Sequence, residues 1–271
     1  MMKQGHISVI MATYNCADTL RQSVDSVLAQ TYTDYKFIIC DDCSTDDTYS
    51  ILKQYEADYP DKFLIIKNEK NSKLPFSLNH CLKYADGEYC ARMDGDDYIA
   101  PDRFEKQVEF LKNNPDIQLV GCALQTFDDK KGMGRIIYCR EYPEKLHLLD
   151  APCFPHAAIM TYTSVYNALG GYTVSKRTVR SQDYDLWFRF FAKGFKGANL
   201  QEPLYFMRED EFSFLRRKPR LYLWLMVTKW KGYRLLKFPL KYYWHILLPL
   251  VALFRNETRK LKAKTSLKSK K

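Results

Sequence analysis

At 271 residues, 46% hydrophobic and 27% charged, the chain has material for one large domain or two small ones, and its 11 glycines and 8 cysteines exclude a collagen-like chain or a disulfide scaffold. Residues 212–271 hold 17 of the 42 basic side chains and a single acid, Glu257, so the net charge of +10 divides into a tail of +16 and a body of −6. A nucleic-acid-binding body would show the reverse balance, so no nucleic-acid partner is expected.

Residues 7–12, Ile-Ser-Val-Ile-Met-Ala, read as a buried strand of a parallel sheet. Asn15 or Asp18 can cap a helix that follows, with Leu20, Val24, Val27 and Leu28 at helical spacing to about Gln30. A second strand covers 37–40 and ends in an acidic turn, Asp41-Asp-Cys-Ser-Thr-Asp-Asp47. Ile51, Leu52 and Tyr55 mark a second helix, 63–66 a third strand, 74–85 a helix and 88–93 a fourth strand. This alternation predicts βαβ units and an open, mostly parallel α/β sheet flanked by helices. Right-handed crossovers place the strand C-terminal ends on one edge, where such sheets bind ligands. Thr13-Tyr14-Asn15, Asp41-Asp42 and Asp94-Gly-Asp-Asp97 all fall there.

Pro101 opens a helix over 101–113, residues 117–124 form a strand, and 127–134 read as a loop or hairpin turn. Residues 135–180 are irregular, 181–193 are helical, and a strand or loop at 203–207 closes the body. The pattern sets a body over 1–211 and a basic tail over 212–271. Cys40 and Cys43 form the one Cys-x-x-Cys, without a second pair at zinc spacing, and fit a buried strand end and a turn. Scattered cysteines and an N-terminal apolar run too short for a signal peptide point to the cytoplasm.

Three carboxylates within Asp94-Gly95-Asp96-Asp97 repel one another unless a hard divalent cation relieves them. Asp41 or Asp42 can accept hydrogen bonds from a base or ribose, or can cap the next helix with Ser44 and Asp46. Neither Gly-x-Gly-x-x-Gly nor a P-loop occurs, so a bound diphosphate would lean on metal for neutralisation. Lys73 and Arg180 could steer phosphate, or could be ordinary solvated side chains.

Together these features resemble the family 2 glycosyltransferases with the GT-A fold. The resemblance rests on residues 7–15, on 39–48, on Gly87-Glu-Tyr through Asp97, on Pro101-Asp-Arg103 and on Gln182-Asp-Tyr-Asp-Leu-Trp-Phe-Arg189. It implies that Ala12, Thr13 and Tyr14 lie against the nucleotide and that Asp42 contacts the base, typically uracil. It further implies that Asp94 sits near ribose and diphosphate, that Asp96 binds Mg²⁺ or Mn²⁺, and that Asp183 is the catalytic base of an inverting transfer from a UDP-sugar. It places His156 near the cleft. Gln182 stands where the family often carries Glu, and the Gln-x-x-Arg-Trp motif of processive relatives is absent, so one sugar per acceptor is expected. A nucleotidyltransferase, which would release pyrophosphate, and a non-catalytic membrane-tethered sugar-nucleotide-binding protein are the rival readings.

The tail holds three of the four tryptophans, with apolar blocks at 221–227 and 242–254 that fall short of the ~20 residues a spanning helix needs. Its bases and aromatics suit an anionic membrane surface. That would bring a glycan or lipid-linked acceptor to the site at the cytoplasmic face of the inner membrane, for surface polysaccharide or oligosaccharide assembly. A helical hairpin packed on the body and RNA binding are the other readings of the tail.

Overall fold

The computed structural model describes residues 2–209 and 218–268. The expected domain boundary at 211/212 lies outside the described residues. The first third alternates β1 (Lys3–Thr13), α1 (Ala17–Leu28), β2 (Tyr35–Asp41), α2 (Thr48–Asp58), β3 (Phe63–Lys67), α3 (Leu74–Leu82) and β4 (Gly87–Asp94). Then follow β5 (Tyr98–Ile99), α4 (Arg103–Asn113), a β6 (Leu119–Asp128) to β7 (Gly132–Ile137) hairpin, β8 (Met160–Tyr162), α5 (Thr163–Leu169), α6 (Gln182–Ala192) and β9 (Gly197–Arg208). The tail contributes α7 (Pro219–Leu235) and α8 (Leu248–Lys268).

Among the described residues the sheet has nine strands in the order β3-β2-β1-β4-β8-β6-β9-β5, with β7 on β6. The first four are parallel, and β8 then pairs antiparallel with both β4 and β6. The chain steps outward from β1 through β2 to β3, then returns to place β4 on the other flank of β1. Loops leaving β1 and β4 therefore diverge, which opens a crevice at their C-terminal ends.

Alternation along β1 supplies both layers of the core. Ile7, Val9 and Met11 meet Leu20, Val24 and Val27 of α1, Leu52 of α2 and Phe104 and Val108 of α4. Ile10 on the opposite face joins Leu78 of α3, Val165 of α5 and Trp187 and Phe190 of α6. Covered on both faces, β1 has no reason to alternate with polar residues, which is why its sequence is a continuous apolar run. Phe154 locks this second layer, edge-on to Trp187 at 5.1 Å and to Phe190 at 5.7 Å between ring centroids.

The tail's first helix packs on the body. Gly232 of α7 lies against the Phe188 ring, where a Cβ would clash. Tyr233 is fully buried and meets Phe188 edge-on, and the buried Lys229 ammonium donates to the Leu149 carbonyl at 2.8 Å. The packed reading thus describes α7. Among the described residues no helix is long and apolar enough to cross a membrane.

Candidate active site

Ala12 and Thr13 end β1, and Tyr14 and Asn15 turn the chain toward α1, Asn15 with a left-handed φ of 49°. That strain is held by bonds to the loop after β2: Asn15 N–H donates to Ser44 Oγ at 3.0 Å, and Asn15 Oδ1 accepts from Thr45 N–H at 2.8 Å. Neither Asn15 nor Asp18 caps α1. Cys16 holds the cap position without a side-chain bond, and the free N–H groups go across the loops, Cys16 to Thr48 Oγ1 and Ala17 to Asp46 Oδ2. The two strand ends are thereby fastened side by side.

Asp41 and Asp42 split their duties. Asp41 accepts from Ser44 N–H at 3.0 Å and shapes its own turn. Asp42 turns away from α2 and accepts three hydrogen bonds from the segment before α3: Asn68 Nδ2 at 2.8 Å, Ser72 N–H at 2.7 Å and Lys73 N–H at 2.8 Å. These bonds hold Lys73 at φ 74°, a conformation costly for a residue with a side chain. Asp42 therefore fixes the wall that carries Asn71 and Lys73.

The third strand end is the acidic turn. Arg92, fully enclosed inside β4, reaches Asp94 with both terminal nitrogens at 3.1 and 2.5 Å. A Cβ at Gly95 would press on Cys16 Sγ at 3.1 Å and Thr13 Cγ2 at 3.3 Å. Asp97 points inward, accepting from the Tyr205 hydroxyl at 2.8 Å and Arg208 N–H at 2.7 Å. Burial, then the charges of Asp94 and Asp96, push its carboxyl up to about 8. Asp96 opens into the cleft and makes no side-chain hydrogen bond or ion pair with another residue among the described residues. Desolvation, then Asp94, raises its carboxyl too.

Carboxylate oxygens of Asp94, Asp96 and Asp97 all lie within 4.8 Å of one another. This is a hard, oxygen-only donor set crowded with like charge, and it fits a hard divalent cation. Arg92 engages Asp94 and the fold engages Asp97, so Asp96 is the carboxylate left to hold one.

One cleft of about 570 Å³ gathers Ala12, Thr13, Tyr14, Asp42, Lys73, Asp94, Asp96 and Arg180, together with Asn71, Cys16 and Gln182. Eight of the ten residues singled out in the sequence thus share one cavity. Asp183 sits one residue behind Gln182, half-buried at the first turn of α6, with Oδ1 accepting from Tyr184 N–H at 2.8 Å. Burial raises its carboxyl. Asp183 does not line the cleft itself. His156 does not line it either: its Nε2 pairs with the Tyr172 hydroxyl at 2.9 Å, and burial, then Arg92, keeps the ring neutral. Its ring stands edge-on to Tyr172 and Trp187.

Arg92, Asn71, Tyr205 and Arg208 were not singled out in the sequence. Arg103, in the Pro-Asp-Arg segment, is structural: its buried guanidinium donates to the carbonyls of Arg92 and Ile159 at 3.1 and 3.2 Å.

Residues 8–170 match the profile of glycosyl transferase family 2. The chain is 44% identical over 248 residues to the putative glycosyltransferase EpsE of Bacillus subtilis, covering 92% of this chain and 89% of that one. It is 32% identical over 200 residues to the putative teichuronic acid biosynthesis glycosyltransferase TuaG of the same organism, covering 73% and 77%. It is 29% identical over 204 residues to the Escherichia coli UDP-Glc:alpha-D-GlcNAc-diphosphoundecaprenol beta-1,3-glucosyltransferase WfaP, covering 71% and 73%. In fold it is similar to S. aureus TarS, solved with UDP-GlcNAc, at a TM-score of 0.66 and 17% identity over 82% of this chain and 65% of that one. It is also similar to the mannosyltransferase PcManGT of Pyrobaculum calidifontis, solved with GDP-Man and Mn²⁺, at a TM-score of 0.58 and 16% identity over 97% and 80%. The chain belongs to glycosyl transferase family 2, and it is a glycosyltransferase built on a GT-A-like α/β fold.

Proposed function

We propose that the protein transfers one sugar from a UDP-sugar to a hydroxyl of a glycan or lipid-linked acceptor, with inversion, in the assembly of a surface polysaccharide or oligosaccharide. The observation that carries this reading is the convergence of three strand ends, with Asp42, Asp94 and Asp96, on one cleft, and Asp183 follows its lining residue Gln182 in the first turn of α6. The names of TuaG, for teichuronic acid biosynthesis, and WfaP, with its diphosphoundecaprenol-linked acceptor, support the pathway.

The β1 terminus offers a backbone edge and the Tyr14 ring to a nucleoside. The second wall, fixed by Asp42, offers Asn71 and Lys73. Asp42 already serves three protein donors, so a base would share its oxygens or meet its neighbours Asn71 and Lys73. Lys73 and Arg180, on the same cavity, would receive diphosphate oxygens. Asp96 would hold a divalent cation, Mg²⁺ or Mn²⁺, with Asp94 at its side. When bound, that cation supplies charge neutralisation for the departing diphosphate. Asp183 would take the proton of the acceptor hydroxyl as it attacks the anomeric carbon. A carboxylate raised by burial is the stronger base for that step, and a positioned base contributes ~10²–10⁴-fold. Asp183 would reach the acceptor past Gln182, at the cleft's inner rim.

Calorimetric titration of UDP with Mn²⁺ and with EDTA tests the donor site. Binding should weaken sharply on chelation and in Asp96→Ala. Asp183→Asn should bind UDP as the wild type does yet lose at least about 100-fold in transfer. Metal-independent UDP binding, or transfer intact in Asp183→Asn, would overturn the respective assignment.

A further inference from the structure

Lys73 and Val179 border the donor cleft on one side and a second groove, of about 610 Å³, on the other. The far wall of that groove is α7, which turns Leu223, Trp224 and Val227 into it. Leu223 is 53% exposed and Trp224 37%, so α7 packs on the body with its other face and leaves this one open. Lys73, Lys176 and Arg220 line the same groove, all three exposed. None of the three has an acidic partner among the described residues.

An apolar wall crossed by three cations that have no acidic partner among the described residues is complementary to an amphiphile with an anionic head. An apolar ligand would leave the cations unanswered, and a free anion would leave Trp224 and Leu223 in water. The position adds a second constraint. Lys73 belongs to both cavities, so an anion bound there lies next to the site where a sugar would be transferred. An acceptor whose sugar is joined through a diphosphate to a long hydrocarbon meets all these conditions together. Its phosphates would lie at Lys176 and Arg220, beside the Lys73 that divides the groove from the donor cleft, its chain along Trp224 and Leu223, and its sugar toward Gln182 and Asp183.

Building on the transferase reading above, we infer that this groove is the docking site for the lipid-diphosphate part of a polyisoprenyl-diphosphate-linked acceptor. α7 is then part of the acceptor site as well as a packed support.

The test is calorimetric titration of farnesyl diphosphate into the full chain, with and without saturating UDP and Mg²⁺. The probe should bind the UDP-loaded protein, and farnesol or inorganic diphosphate alone should bind at least about tenfold more weakly. Lys176→Glu, Arg220→Glu and Trp224→Ala should each weaken the probe by about tenfold or more, the loss of one charged or aromatic contact. All three should keep wild-type UDP affinity, which also shows that they fold. Displacement of UDP by the probe would put it in the donor cleft and overturn the inference. So would equal probe affinity in all variants, or binding of phosphatidylglycerol vesicles through these residues with none of the probe. If UDP fails to bind the wild type, the donor reading falls, while the dependence of the probe on Lys176, Arg220 and Trp224 still decides for or against the groove.

Discussion

Arg92 takes both oxygens of Asp94 from inside β4, and that pairing sets how three carboxylates share one turn. Without it Asp94, Asp96 and Asp97 would face one another with only Arg208 nearby. Arg92→Met leaves Asp94 unpaired above a buried apolar strand. The expected cost is about 3 kcal/mol, the low end for breaking a buried pair because Asp94 keeps a third of its surface open. The urea midpoint should fall accordingly, and UDP affinity with it. Arg92→Lys keeps the charge but not the two-pronged geometry, and should recover only part of both. An unchanged midpoint in Arg92→Met would show that Asp94 needs no partner. The signal for Arg92 was present in the sequence: a lone arginine in an apolar strand, two residues before a carboxylate and so on the same face. Asp96 and Asp94 were legible because a turn holds them at a strand end. The role of Asp42 was only half legible, since its three donors lie 26 to 31 residues away in a segment with no pattern of its own.

At the scale of elements, α6 is held by Asp185, one turn-face away from Asp183. Asp185 pairs with Arg177 at 2.7 Å and Arg189 at 2.9 Å, and accepts from the Thr173 hydroxyl at 2.6 Å. It therefore ties α6 to the segment that carries Val179 and Arg180 into the cleft. Burial alone would raise its carboxyl, but the Thr173 bond, Arg189 and Arg177 outweigh burial and leave it below the usual range. A depressed folded pKa means stability that is fully present above the unfolded value, about 3.9, and is lost as pH falls through the folded one. Asp185→Asn should thus be less stable than wild type at pH 7, by about 3 kcal/mol. The gap should narrow below pH 4 as the wild-type carboxylate protonates. Denaturation midpoints at pH 7, 5 and 3 check this, and a gap constant across that range would count against it. β1 to β4 were readable because each is a short apolar run bounded by turn residues. β8 and α5 were not, since a three-residue strand has no period, and its place is set by β4 and β6, about 40 or more residues away. β9 read as five residues and spans twelve, because its polar first half pairs within the sheet rather than with its sequence neighbours.

Over the whole molecule, the basic residues of the C-terminal part fall on two segments with different surroundings. α7 belongs to the body, through Gly232, Tyr233 and Lys229, whereas the segment beyond it exposes Leu240, Trp244, Leu247, Val251 and Phe254. Lys237, Lys241 and Arg255 stand among these side chains, without an ion pair to an acid among the described residues. Packing alone does not account for five large apolar groups left in water next to cations. A surface that supplies both anionic headgroups and an acyl boundary does, and each base near such a surface contributes about 1 kcal/mol, weakened by salt. The expected outcome is that the full chain, after nuclease treatment, co-sediments with phosphatidylglycerol vesicles but not with phosphatidylcholine vesicles, and that rising salt releases it. Replacing Trp244 and Phe254 together by Ala should release it at low salt as well, with thermal midpoint and UDP affinity unchanged. Retention by the double variant would assign the attraction to charge alone, and absence of binding at low salt would leave the tail a support for α6 and nothing more. With binding, the acceptor's hydrocarbon need not leave the bilayer: α7 would lie between the membrane and the donor cleft, and one helix would serve both to seat the enzyme and to receive its substrate.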